Sequence, residues 1–151
     1  ADLAAAVEKL DWYALRWKVE VFHKVLKSGC RAEQAKLRTT ARVTNLLALL
    51  CVVGWRVFWP TTAAREAPDA APAVAFTPAE VAVLDRVAGD PPEAAGRTVA
   101  HYLREVTKLG GYLARAQDPP PGNMVVWRGL ARLADLVLGY EPQAPTQPSC
   151  G

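Results

Sequence analysis

Polar and apolar residues recur along residues 3–28 with a period that only a helix sorts into two faces. Each helical residue turns about 100°, so Tyr13, Arg16, Glu20 and Lys27 fall within an arc of about 60°. Trp17, Lys24 and Arg31 widen that arc to about 100°. The opposite face carries Leu15, Val19, Phe22, Val25 and Leu26. Such a helix is built to lie on a scaffold by its apolar stripe. Its other face holds one carboxylate, several cations and two aromatic rings, and suits an anionic partner that needs a metal.

The rest of the chain reads as helical too. It is rich in Ala and Leu, is 51% hydrophobic, and contains no convincing run of alternating Val, Ile and Thr. An all-α fold with one ordinary core is expected from its 151 residues. The first helix should end at Gly29. A second should run over residues 32–58, basic at its start and apolar over 46–59, with Pro60 ending it. That apolar run is short for a membrane span and is interrupted by Gly54 and Arg56, so a buried core helix is the expectation. Residues 61–76, rich in Ala and Pro, read as a linker. Thr77, Pro78 and Glu80 form a helix-start signature, with the helix closing near Gly89. Another helix is expected over 93–116, with tight packing as the reason for Gly110 and Gly111 inside it. A last helix over 124–138 has the stripe Val126, Leu130, Leu133 and Val137. The expected organisation is therefore 1–60, a linker at 61–76, a helical unit at 77–139 and a disordered tail at 140–151.

Charge is uneven along the chain. Residues 1–60 hold ten Lys/Arg against five Asp/Glu, whereas residues 61–151 hold eight against ten. A basic N-terminal part points to an anionic partner such as nucleic acid, or else to a solvated helix face. Cys30, Cys51 and Cys150 are widely spaced with no CxxC or CxxH pattern, so a structural zinc is not expected. Cys51, in the apolar run, reads as core, and the thiols as reduced.

Glu20 lies four residues from both Arg16 and Lys24. Two ion pairs on a solvated helix, each contributing a few tenths of a kcal/mol, would account for that spacing. Two features favour a nucleic-acid role instead. Tyr13 and Trp17 sit among the cations, where rings can stack on unstacked bases, and the cations continue past Glu20 to Lys27 and Arg31. A second helix covering that face would also explain the rings. His23 and His101 have no partner at ligand spacing and read as surface groups. Trp55, Trp59 and Trp127 read as core or interface anchors.

The segment from Tyr13 to Gly29, with Arg16, Glu20 and Lys27 at Y-x2-R-x3-E-x6-K, resembles the signature of bacterial cut-and-paste DDE transposases of the Y-R-E-K group. Trp17, Phe22, His23 and Lys24 also look like common choices of that family. A second block, Leu109 to Tyr112 through Trp127 to Leu133, looks like its C-terminal dimerisation domain. The resemblance implies an all-α fragment: the Glu-bearing helix that closes an RNase H-like core, followed by a helical dimerisation domain. Glu20 would be the third carboxylate of an acidic triad that holds Mg²⁺ or Mn²⁺ for phosphodiester cleavage and strand transfer. Arg16 and Lys27 would bind phosphates, Tyr13 the adjoining backbone, and Trp17 distorted bases at the transposon end. Lys24, Arg31, Lys36, Arg38 and Arg42 would extend the phosphate contacts. Partners would be transposon-end double-stranded DNA and a second copy of the chain, with no membrane.

The departure from the family pattern is equally specific. A DDE core needs two aspartates on strands, and no strand is expected here. The chain neither starts with Met nor opens on a signal peptide, so it reads as a piece of a longer protein; its cysteine usage reads as cytosolic, and the resemblance implies a bacterial one. The isolated fragment is expected to be inactive, with no metal bound, and to expose surface that a missing domain would cover. The competing readings are a helical interaction module without a DNA role and, more remotely, a membrane-surface protein using the 46–59 run.

Overall fold

The computed structural model describes residues 2–30, 34–89 and 97–140. Among them every regular element is helical, as composition and periodicity imply. The order is α1 (Leu3–Ala14), α2 (Arg16–Lys24) continuing as a π turn (Val25–Gly29), α3 (Thr40–Glu66), a 3-10 turn (Pro72–Val74), α4 (Pro78–Ala88), α5 (Val99–Leu109) and α6 (Asn123–Leu138).

One contiguous core joins these elements. Val57, Phe58 and Ala63 of α3 meet Val83 and Leu84 of α4, Val99, Tyr102 and Val106 of α5, and Val126, Leu130 and Leu133 of α6. Val25 of the π turn is buried in the same cluster. The α6 stripe read from the sequence is thus the core face of that helix, with Val137 half-buried beside it. The closest crossing is between α5 and α6. A Cβ placed on Gly129 would come within 2.0 Å of the Val106 carbonyl oxygen, and one on Gly110 within 2.0 Å of that of Val125. Only glycine permits this backbone approach.

Gly110 therefore has the packing role expected of it, but α5 does not run on to residue 116. It stops at Leu109 in a Schellman motif: Gly111 adopts φ +94°, its amide donates to Lys108, and the Tyr112 amide donates to Thr107. The left-handed turn that Gly111 supplies ends the helix. The start expected for this helix, at residue 93, lies outside the described residues.

Pro60 does not end α3, which continues six residues further to Glu66. A proline inside a helix removes one hydrogen bond and costs about 3 kcal/mol. Here Pro60 is itself buried, together with Val57, Phe58, Thr62 and Ala63, so core packing offsets that loss. The Thr61 hydroxyl shares its one proton between the Val57 and Phe58 carbonyls, at 2.6 and 2.8 Å. Consequently residues 61–66 belong to α3 rather than to a linker. Residues 67–76 are a sequence of hydrogen-bonded turns whose Ala75 and Phe76 enter the core. Their Pro68 and Ala70 carbonyls accept from Ala100 and Val99, capping the start of α5.

The start of α3 also differs from the expectation. Residues 35–39 are irregular and the helix begins at Thr40, so Lys36 and Arg38 precede it. Its apolar run is not wholly a core segment. Burial is confined to Gly54 and beyond, while Val43, Leu47, Leu49, Cys51, Val52 and Trp55 are exposed. With 27 residues, α3 is long and apolar enough to cross a membrane by length and composition, and one third of its most apolar window is buried within the protein. Its C-terminal half packs as a core helix, and Arg56 is held there by the Ala75 carbonyl and the Glu80 carboxylate. Cys51, read as core from the sequence, is exposed, whereas both ends of α4 fall where expected. The Thr77–Glu80 capping box is complete and Gly89 closes α4 at φ +70°. The tail after residue 140 lies outside the described residues.

Candidate nucleic-acid interface

The helix carrying the charged stripe is nearly continuous from Leu3 to Gly29, as the periodicity requires. Asp2 caps it by accepting from the Ala4 amide at 3.2 Å. At Leu15 the bonding tightens for one residue: the Leu15 amide is shared between the Asp11 and Trp12 carbonyls, and the Lys18 amide reaches back to Leu15. The chain then resumes as α2 in the same direction.

The apolar stripe is only partly seated. Val25 is fully buried, and Val21, Phe22 and Leu26 are half-buried against the core. Leu15 and Val19 remain more than half exposed. This gradient follows from how α2 meets α3. Phe22 packs edge-on against Phe58 and Leu26 against Gly54, while Lys18 pairs with Glu66 at 2.8 Å, in the last turn of α3. By that antiparallel register α1 runs on beyond the end of α3. No α1 residue is buried, and Leu3, Val7 and Leu10 form an exposed stripe along it.

The outward face brings three of the sequence-selected residues together. Arg16 Nε stands 3.5 Å from Glu20 Oε1, with side-chain exposures of 66% and 67%. The Arg16 guanidinium lies 6.0 Å from the centre of the Tyr13 ring, itself 69% exposed. Trp17 is placed differently. Its ring has Lys18 Nζ at 5.8 Å and the Arg65 guanidinium of α3 at 5.9 Å, so a second helix covers part of it. Lys24 and Lys27 are exposed one and two turns further on. Lys27 sits in the π turn, where each residue advances through a smaller angle, so its phase departs from the regular helical count. Lys36, Arg38 and Arg42 are exposed on the segment leading into α3 and on its first turn. Arg31 lies outside the described residues.

The donor set does not make a metal site by itself. Among the described residues no group of three or more His, Cys, Asp or Glu side chains converges. Glu20 is a single carboxylate already facing Arg16. Mg²⁺ keeps several waters and is normally fixed by more than one carboxylate or by substrate phosphates, so the described residues alone do not fit it.

A polar cluster that sequence reading missed lies elsewhere. The Tyr102 hydroxyl donates to Asp85 at 2.7 Å, and Arg97 forms an ion pair with the same carboxylate. Burial is the main cause pushing the Tyr102 phenol up. The three residues come from α4, α5 and the approach to α5, and no local spacing connects them.

Among known protein families, the model described as the transposase DDE domain matches residues 1–53, about a third of the 151-residue chain. No solved structure matches. The matched stretch ends at Val53, just before α3 becomes buried, and includes Tyr13, Arg16, Glu20 and Lys27. The N-terminal third is thus similar to a transposase DDE domain, and that similarity supports a transposase-related role.

Proposed function

We propose that this chain is the C-terminal part of a cut-and-paste DDE transposase of the Y-R-E-K group. In this reading the exposed face of α2 lies along the phosphodiester backbone of transposon-end DNA. The observation that carries it is the meeting of Tyr13, Arg16 and Glu20 on one outward face, inside the stretch similar to a transposase DDE domain. Arg16 and Lys27 bind phosphates, and Lys24, Arg31, Lys36, Arg38 and Arg42 extend the contact along the strand. Tyr13 reaches the sugar–phosphate backbone beside them. Trp17, flanked by two cations, offers its remaining edge to bases displaced from the stack.

Glu20 would be one carboxylate of a divalent-metal site, with no second converging acidic ligand among the described residues. A divalent metal held there with further ligands would supply Lewis-acid activation of the attacking oxygen. This chain contributes orientation: Arg16 holds the carboxylate outward, on the side where the cations gather the phosphates. The helices beyond residue 77 make the contacts between two copies of the protein, each copy holding one DNA end.

The test is binding to short duplex DNA as a function of salt. Neutralising two phosphate-binding cations should lower the magnitude of the log–log salt slope by about 2 and weaken binding. Arg16→Ala with Lys27→Ala is expected to do both. Unchanged affinity and slope would leave a helical interaction module whose basic face is merely solvated.

A further inference from the structure

Helix α2 with its π turn runs antiparallel to α3 in a single register. Phe22 meets Phe58 with ring centres 5.9 Å apart. One turn later, Leu26 meets Gly54: a Cβ on that glycine would lie 2.8 Å from Leu26 Cδ2. The four residues from Phe22 to Leu26 match the four from Phe58 back to Gly54. One more step of that length would bring residue 30 level with residue 50, next to Cys51. The π turn makes this step effective. The Cys30 amide donates to the Val25 carbonyl at 3.1 Å, so Cys30 stacks above Val25 and Leu26, the residues pressed towards the core and α3. Gly54 leaves the space that the Leu26 side chain fills, so the two helices are in direct contact one turn before Cys30.

We propose that Cys30 and Cys51 are an oxidisable dithiol that closes to an intrachain disulfide across the α2–α3 contact. Both are free thiols, Cys30 partly buried and Cys51 exposed. A second observation is independent of the register. Burial pushes the Cys30 thiol up, and the nearness of Cys51 raises it further, so the two sulfurs sense each other's charge.

The oxidant is a low-molecular-weight disulfide. The Cys51 thiolate attacks it, forming a mixed disulfide and releasing one small thiol. The Cys30 thiolate then attacks Cys51 Sγ and expels the second small thiol. One small disulfide is reduced to two thiols, which carry off the two protons, and two protein thiols are oxidised to one disulfide. The second step quickens as pH rises, because Cys30 is held in its thiol form. The bond would fasten the end of the helix bearing Arg16, Glu20 and Lys27 to α3. It does not depend on any DNA role for that helix.

The experiment uses the full chain with Cys150→Ser, incubated with oxidised glutathione and followed by intact mass and peptide mapping under non-reducing conditions. The expected product is a monomer lighter by two hydrogen atoms, with Cys30 joined to Cys51 and no thiol left to titrate. Its thermal midpoint should exceed that of the reduced form, because the bond closes a loop of about 20 residues. In the same background Cys30→Ser should stall as a glutathione adduct on Cys51. Stable adducts on both cysteines without ring closure, or a disulfide-linked dimer as the product, would overturn the assignment.

Discussion

Arg16 and Glu20 face each other with about two thirds of each side chain in water. An exposed pair of this kind contributes at most a few tenths of a kcal/mol to folding. Its placement on the surface therefore owes little to stability, and this is why a ligand-facing role is worth testing there. Gly129 is the opposite case. Any side chain there would meet the Val106 carbonyl, a backbone atom that cannot swing aside. Gly129→Ala should destabilise the fold by about 2–3 kcal/mol, measured by urea unfolding, as overpacked cores do. The tight role of Gly110 was legible from a glycine pair in an apolar helix. That of Gly129 was not, because a lone glycine in α6 does not reveal what crosses it. The Asp85–Arg97–Tyr102 cluster was equally hidden, since its members meet only after α4 and α5 pack.

At the scale of elements, local chemistry located some boundaries and failed at others. Thr77 and Glu80 bond reciprocally, so the start of α4 follows from four residues alone. Thr77→Ala should cost about 1 kcal/mol in the same unfolding measurement, through the lost cap. Pro60 misleads for a reason outside its neighbourhood. Its intrinsic penalty is real, but Phe58, Thr62 and Ala63 are buried on either side of it, and tertiary packing overrides propensity. The Ala/Pro stretch at 67–76 carries no helical pattern and yet is anchored, because Phe76 finds a core pocket beside Tyr102. The helical stretch over 3–28 was legible, apart from the tightening at Leu15 and the π turn, which no residue type announces.

Taken whole, the molecule pairs a packed helical body with an α1–α2 arm whose cation-bearing face holds one carboxylate, Glu20. Two-metal cleavage needs several oxygen ligands held together, and among the described residues no such group exists. The chain by itself should give no Mg²⁺-dependent nicking of transposon-end DNA, measured by release of a labelled strand. Protein-dependent product would mean that the acidic ligands are supplied within these 151 residues. The all-α class was readable because Ala, Leu and the 3.6-residue period recur in every segment outside the Ala/Pro stretch and the tail. The candidate site was readable as a face, from Tyr13 to Glu20. It was not readable as a surface, since the cover that Arg65 gives Trp17 depends on how α3 lies across α2.

The overhang of α1 has a kinetic consequence. Its backbone hydrogen bonds are shielded by no neighbouring layer, so they open without the body having to unfold. Deuterium should enter the amides of residues 6–14 long before those of α5 and α6, whose exchange waits on global opening. A mass-resolved labelling time course would show two separate regimes in one chain, and engagement of the arm by a ligand would be visible as the slowing of the faster one.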